Sequence, residues 1–269
     1  MTIYGAPKVG KSESVTRLPR SANGSEPLVG MCQRGGGDHL AGRFIDIHAL
    51  VDAGKFGKEA DYASAFYATL DQLFELRKAG TPAADFVAID HLGIVEDWVF
   101  ARALATFRTT LIGRSDTFKD LKRITDLPGQ GNQGSPGWNW VREEMHRTMW
   151  AMQRVAPHVV LVAHMRDKFA LSGTPKQAGE VTPNDLDLTG SLRKLVCSES
   201  STIGFMYRNA NSELLLNFKT SDTTVCGSYC RHLRGREFTL GKLTKGETVY
   251  DWSQIYLSQE PTAPPGAQP

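Results

Sequence analysis

Two apolar segments of the chain end in polar side chains, a pattern typical of buried parallel strands. Residues 86–89 read Phe-Val-Ala-Ile and are followed by Asp90, and residues 159–163 read Val-Val-Leu-Val-Ala and are followed by His164. Continuous apolar runs of this length indicate strands that are covered on both faces of a sheet. Ligands of such sheets bind beyond the carboxyl ends of the strands, so Asp90 and His164 are candidate site residues.

Helical periodicity fills much of the chain between these two segments. Asp61 is a predicted N-cap, and the apolar residues after it recur at helical spacing: Tyr62, Phe66, Leu70, Leu73 and Phe74. Residues 91–110 predict a second helix. A third begins near Trp138, and its core stripe continues through Val141, Met145, Met149 and Met152. Strands that alternate with helices in this way indicate an α/β fold.

The pattern changes after residue 200. Short β-prone segments with turns between them follow at residues 202–207, 213–218, 223–229 and 237–240. They predict hairpins that extend the sheet in mixed orientation. The predicted fold is therefore α/β, with a mostly parallel central sheet flanked by helices and with antiparallel hairpins at the C-terminal end.

A glycine-rich segment near the start matches the phosphate-binding P-loop, G-x-x-x-x-G-K-S. Its residues are Gly5, Ala6, Pro7, Lys8, Val9, Gly10, Lys11 and Ser12, and Glu13 opens a helix that Pro19 ends. The glycines let backbone N–H groups converge on phosphate oxygens, and Lys11 brings a positive charge to the β- and γ-phosphates. Ser12 and Asp90 are the candidate Mg²⁺ ligands. His164 is a candidate γ-phosphate sensor; the alternative is a histidine whose hydrogen bonds are satisfied within the strand end.

Composition narrows the class of protein without deciding it. The chain has 269 residues, a net charge of +2 and an apolar fraction of 41%, which suits one large domain. We expect an ATPase domain at residues 1–257 and a disordered Pro-rich tail at 258–269. Few cysteines, no signal peptide and no long apolar run favour a cytoplasmic protein with no membrane partner. Cys226, Cys230 and His232 leave a metal site open as a minor alternative.

Basic residues cluster in spite of the small net charge. Between residues 102 and 123 the lysines and arginines outnumber the aspartates, and residues 165–188 add more: Arg102, Arg108, Arg114, Lys119, Lys122, Arg123, Arg166, Lys168 and Lys176. One interpretation is a solvated helix face, and the other is a region that contacts the phosphate backbone of DNA.

Taken together, the motifs resemble those of the RecA-like ATPases, most closely the small bacteriophage ATP-binding proteins that act as single-strand annealing proteins or recombinases. The resemblance covers roughly residues 1–245. It rests on the P-loop, the strand ends at Asp90 and His164, Leu188-Thr189-Gly190 at a helix start, and Gly227-Ser228-Tyr229-Cys230 in the late hairpins.

This resemblance implies that the His164 strand lies between the P-loop strand and the Asp90 strand. It also implies ATP sites between the subunits of a ring or filament. Two mobile loops, at about residues 110–137 and 165–188, would hold single-stranded DNA. A basic residue of a late hairpin would reach the γ-phosphate of the neighbouring subunit, with Arg231 the first candidate and Lys219 the second.

One departure concerns the catalytic base. The family usually has a glutamate at the end of the second strand, where this chain has Gln33-Arg34. Asp38 is the candidate substitute, and His91 and Glu96 are the next candidates. The sequence thus predicts a slow, DNA-dependent ATPase that binds single-stranded DNA in phage-type recombination or annealing. The alternatives are an ATP-gated DNA-binding module with little hydrolysis, a ring helicase or helicase loader, and a small-molecule kinase.

Overall fold

The fold is built on a ten-stranded sheet. The structure, a computed structural model, describes residues 1–20, 24–35, 37, 39–57, 61–129, 135–166, 184–244 and 246–256. The strands are β1 (Thr2–Gly5), β2 (Leu28–Met31), β3 (Arg43–Asp46), β4 (Phe86–Asp90), β5 (His158–His164), β6 (Thr202–Arg208), β7 (Leu214–Asn217), β8 (Gly227–Ser228), β9 (Glu237–Thr244) and β10 (Glu247–Tyr250). The helices are α1 (Lys11–Val15), α2 (Ile47–Asp52), α3 (Tyr62–Lys78), α4 (Leu92–Thr109), α5 (Gly137–Gln153) and α6 (Leu192–Glu199), with a short 3₁₀ helix at Ile124–Asp126.

The strand order is β10-β9-β7-β6-β1-β5-β4-β2-β3, and β8 pairs with β6. The first six strands run parallel, and the later strands add to β6 in antiparallel pairs. This mixed α/β architecture confirms the predicted fold class. The predicted position of the His164 strand is also confirmed, since β5 lies between β1, which leads into the P-loop, and β4, which ends at Asp90.

Side chains from the two faces of the sheet enter two separate hydrophobic cores. Ile89 and Leu161 point into the core that is covered by α3, α4, α5 and α6. Ala88 and Val160, their neighbours along the strands, point into the core that contains α1 and the C-terminal strands. This alternation is the consequence of the two-residue period of a strand. It explains why β4 and β5 have continuous apolar sequences.

The helix predictions are confirmed in outline. Asp61 caps α3 by accepting a hydrogen bond from the Ser64 amide. The apolar stripe of α5 is fully buried from Val141 to Met152, whereas Trp138 at its start is 37% exposed and packs edge-on against Phe100. Trp138 was therefore wrongly assigned to the core.

Three details differ from the sequence prediction. The helix after the P-loop is shorter than predicted, since α1 has five residues and ends at Val15. The predicted strand at residues 223–229 retains only the two residues of β8. Strand β10 was not predicted; it pairs with β9 in antiparallel orientation. Turn geometry and pairing partners decide such short edge elements, and neither is contained in local periodicity.

The alternative of a metal site at Cys226, Cys230 and His232 finds no support. His232 instead donates from Nε2 to the Ile255 carbonyl at 2.9 Å. Among the residues that the structure describes, no group of three His, Cys, Asp or Glu side chains could hold a metal ion. No helix formed by the described residues is long and apolar enough to cross a membrane. The tail at 258–269 lies outside the described residues, so the predicted domain division stays a prediction.

Candidate active site

The P-loop connects β1 to α1 at the carboxyl edge of the sheet. Lys8 and Gly10 both have positive φ, 61° and 111°, which curls the loop before the helix begins. Gly5 has a second reason to be glycine, because a Cβ there would collide with the Met206 carbonyl oxygen of β6. Backbone and sheet packing together therefore impose the two glycines of the motif.

Lys11 lies at the centre of this loop and is 5% exposed. Its Nζ donates to the carbonyl oxygens of Gly5 and Ala6, at 2.8 and 2.7 Å. Burial lowers the pKa of Lys11 to about 8, and the neighbouring Asp90 carboxylate opposes this shift. The ammonium group is thus held by neutral acceptors and is only weakly compensated by charge, which suits it to attract a phosphate.

Asp90 is the polar end of β4 and is 5% exposed. Within the described part of the chain its Oδ2 has no hydrogen-bond partner. Burial raises the pKa of Asp90, while the Ser12 hydroxyl, the Lys11 ammonium and His164 lower it. A buried carboxylate oxygen without a partner is costly unless a ligand completes it. Together with the Ser12 hydroxyl it offers the hard oxygen donors that Mg²⁺ prefers.

His164 and His91 face each other beside Lys11. Their ring centroids are 4.4 Å apart with the planes nearly perpendicular, and His164 Nδ1 lies 3.5 Å from Lys11 Nζ. Burial, then Lys11 and His91, lower the pKa of His164 to about 4, and burial also lowers the pKa of His91. Both rings are therefore neutral at physiological pH. A neutral imidazole can donate one hydrogen bond to a phosphate oxygen or to water.

The carboxyl end of β2 contains no free carboxylate in the residues that the structure describes there. Gln33 is exposed, and Arg34 is engaged with Asp52 at 3.0 Å and the Tyr62 hydroxyl at 2.7 Å. Asp38, the predicted base, lies outside the described residues. Glu96 is in use elsewhere: its Oε1 accepts a hydrogen bond from the Thr189 amide at 2.7 Å.

Two side chains that the sequence did not indicate hold the P-loop and α1 in place. Arg208, at the end of β6, donates from Nε to the Val9 carbonyl at 3.1 Å. The buried Trp252 donates its indole N–H to the Ser14 carbonyl of α1 at 2.9 Å. Each lies about 200 residues or more from its acceptor along the chain. No local signal could have indicated these contacts.

The basic segment, residues 108–123, begins in the last turn of α4 and packs against helices rather than against the P-loop. Phe118 contacts Phe107 edge-on at 5.8 Å, and Arg108 donates to the Leu121 carbonyl at 2.7 Å. Lys119 pairs with Asp116, whereas Arg114, Lys122 and Arg123 form no ion pair with described residues. Of the second basic group, the Arg166 amide donates to the Asp185 carbonyl at 3.0 Å. Lys168 and Lys176 lie outside the described residues.

Arg231 and Lys219 lie towards the opposite edge of the sheet from the P-loop. At the amino end of β6, Thr202 pairs with Ser228, three residues before Arg231. At the carboxyl end, Arg208 pairs with Leu214, and β7 then runs away from the P-loop towards Lys219. Neither side chain reaches this chain's own phosphate loop, so a role at a neighbouring subunit's site stays a prediction.

With the site assembled, comparison with known proteins gives its class. A family model described as an AAA domain matches residues 1–230. The chain belongs to the AAA domain family. The matched part of this AAA domain contains the P-loop, Asp90, the histidine pair and Arg208. It is a P-loop ATPase domain in which β5 lies between β1 and β4, the one strand position that the RecA-like resemblance predicts.

Two further comparisons add little. No curated protein matches this chain. Among solved structures, it is similar to the crystal structure of the RadB recombinase, at 10% sequence identity and a TM-score of 0.38, over 92% of this chain and 88% of that one.

Proposed function

We propose that this AAA domain binds ATP and Mg²⁺ at the P-loop, hydrolyses ATP slowly, and binds single-stranded DNA in phage-type recombination or strand annealing. The observation that carries the nucleotide part is the arrangement of Lys11 and Asp90. A buried ammonium, whose closest acceptors are two carbonyl oxygens, lies near a buried carboxylate with an unpartnered oxygen. An anionic phosphate and a divalent cation would compensate both groups at once.

Each residue then has a separate part in binding. Backbone N–H groups of the curled loop and the ammonium of Lys11 would bind the phosphates, and Ser12 and Asp90 would hold Mg²⁺. The cation, when bound, neutralises charge that develops on the phosphate oxygens. Arg208 and Trp252 would keep the loop and α1 in position, because Arg208 ties the Val9 carbonyl to β6 and Trp252 ties the Ser14 carbonyl to the segment after β10. His164 would hydrogen-bond the terminal phosphate as a neutral donor.

Slow hydrolysis follows from the weak bases near the loop. A group that takes a proton from water should have a pKa near the working pH. His164 is too weak a base, with a pKa of about 4. Glu96 is engaged with the Thr189 amide. Asp38 remains the proposed base, with His91 next. An ATP-gated module with little hydrolysis is the second candidate function, and it is favoured because no group among the described residues near the loop is poised as a base; a helicase or helicase loader has no such observation in its favour.

The first test is the pH dependence of nucleotide affinity. Only the charged form of Lys11 attracts phosphate, so affinity should be complete below its pKa of about 8 and should fall as pH rises through that value. Titration with Mg-ADP should give about a tenfold loss between pH 7 and pH 9. Lys11→Arg is the matched variant, because a guanidinium stays charged in this range and its profile should be level. A level profile in the parent protein would contradict the assignment.

DNA binding is proposed for the basic segment at residues 108–123. The lysines and arginines of this segment are exposed. Arg114, Lys122 and Arg123 form no ion pair with the described residues. Exposed cations without ion-pair partners bind phosphates through the release of counterions. We also propose that the protein assembles as a ring or filament, in which Arg231 or Lys219 approaches the nucleotide of the next subunit.

A triple substitution tests the DNA proposal. Each lost phosphate contact reduces the slope of log affinity against log salt by about 0.7 for single strands, so replacing Arg114, Lys122 and Arg123 by alanine should reduce it by about 2. The measurement is fluorescence anisotropy with oligo(dT), with ATP and Mg²⁺ present, over a range of salt. Lys55, Lys78 and Lys194 make a matched control triple elsewhere on the surface, and their replacement should leave the slope unchanged. An equal slope in both triples would place the DNA elsewhere.

A further inference from the structure

A cleft of about 310 Å³ lies between α3 and α4, away from the P-loop. Small and hydroxyl-bearing side chains form its walls, among them Ala63, Ala101, Ala105, Ser64 and Thr106. Its volume is at the lower end of the range for ligand pockets, which corresponds to a ligand of about one nucleotide unit. The nucleotide site described above does not use this cleft.

One arginine in the cleft is held rigidly in place. The guanidinium of Arg102 lies over the Tyr67 ring, 3.8 Å from its centroid, and its Nε contacts Glu144 Oε1 at 2.9 Å. Both partners are buried, at 8% and 4% exposure, and the Tyr67 hydroxyl is itself hydrogen-bonded to Thr148 at 2.6 Å. The Arg102 side chain nevertheless stays 45% exposed. One face of the guanidinium plane is therefore covered, and the remainder is open towards the cleft.

The charges around the cleft favour a neutral ligand. Glu144 compensates Arg102, and the carboxylate of Asp61 lies at the rim, where it caps α3. A free anion would find no net positive charge there. A planar neutral group, in contrast, can stack on the open face of an arginine that is already supported by an aromatic ring.

We propose that the α3–α4 cleft binds one base of a single DNA strand, stacked on Arg102; this inference rests on the proposed DNA-binding function. The cleft is next to the basic segment, since Thr109 lines it and Arg108 begins that segment. A strand whose phosphates contact the segment can therefore place one base between α3 and α4. The hydroxyls of Ser64 and Thr106 line the cleft and can contact the edge of the base, while the Thr109 hydroxyl, which donates to the Thr106 carbonyl at 2.7 Å, can only accept.

Arg102→Lys tests the stacking directly, because lysine keeps the charge and loses the planar group. Affinity for oligo(dT), measured with ATP and Mg²⁺, should fall at least about fivefold, the factor for the low end of base stacking on a side chain. Affinity for an abasic oligomer of the same length should be nearly unchanged. Arg147→Lys is the matched control, since Arg147 also contacts Glu144 but lies outside the cleft, and it should affect neither oligomer.

Ala105→Leu gives an independent test that keeps every charge and the Arg102 contacts. Ala105 is an exposed helical residue that lines the cleft, and leucine suits a helix, so the fold should be retained while the cleft is filled. It should also weaken oligo(dT) selectively. Two results would overturn only the proposal that the cleft binds a base. One is an equal loss of affinity for both oligomers, and the other is no loss in either variant while the parent binds oligo(dT). A parent that binds neither oligomer would overturn the proposed function as well.

Discussion

Replacing Lys11 by alanine is expected to weaken ATP binding by at least about 100-fold, since a charge-assisted contact to phosphate is lost in a buried site. The Lys11 ammonium is buried within the curled loop and already lies within hydrogen-bond distance of the Gly5 and Ala6 carbonyls. Titration with a fluorescent ATP analogue measures the effect.

The same change has a cost in the free protein. The carbonyl oxygens of Gly5 and Ala6 lose the donor that Lys11 supplies, so the melting temperature should be measured with the affinity. Lys78→Ala, on the surface of α3, is the control for general loss of charge and should bind ATP like the parent. An Lys11→Ala protein that is folded and keeps the parent's affinity and turnover would show that the P-loop assignment is wrong.

Replacing Asp90 by asparagine should have the second largest effect and should act in opposite directions on activity and stability. Asparagine keeps the size of the side chain and removes the negative charge that Mg²⁺ would need. ATP turnover should therefore fall at least about 100-fold, the order of effect that follows removal of one electrostatic stabiliser of a transition state. The stimulation of nucleotide binding by Mg²⁺ should also be lost.

Stability should change in the other direction. Burial raises the pKa of Asp90, so the folded protein pays for keeping this carboxylate ionised at neutral pH. The free energy of unfolding of Asp90→Asn should exceed that of the parent near pH 7, and the difference should shrink as pH falls and the parent's carboxylate takes up a proton. Urea denaturation at several pH values measures this. Asp71→Asn, at an exposed position of α3, is the control. Retained turnover with unchanged Mg²⁺ dependence would exclude Asp90 as a metal ligand.

These two predictions concern residues that sequence alone pointed out, and the reason is that their signals are local. The P-loop is a contiguous motif, and its glycines are required by the backbone turn and by the close approach of β6. Asp90 and His164 end strands whose apolar runs are visible in the sequence. Parallel strands place such ends at one edge of a sheet, so the grouping of Lys11, Asp90 and His164 follows from the sequence. The Asp61 cap and the stripe of α5 are local for the same reason.

Only the tertiary structure decided which groups surround this local framework. Arg208 and Trp252 support the P-loop and α1, although they are far from them in sequence. Glu96 accepts a hydrogen bond from the Thr189 amide. Arg231 and Lys219 had to be located by strand register, which places them away from the P-loop. The cleft at Arg102 depends on how α3, α4 and α5 pack together, and a short stretch of sequence does not determine that packing. Periodicity and motifs specify elements and strand ends, because these depend on neighbours in the chain. Partners distant in sequence are chosen by packing of the whole fold, and they complete the site.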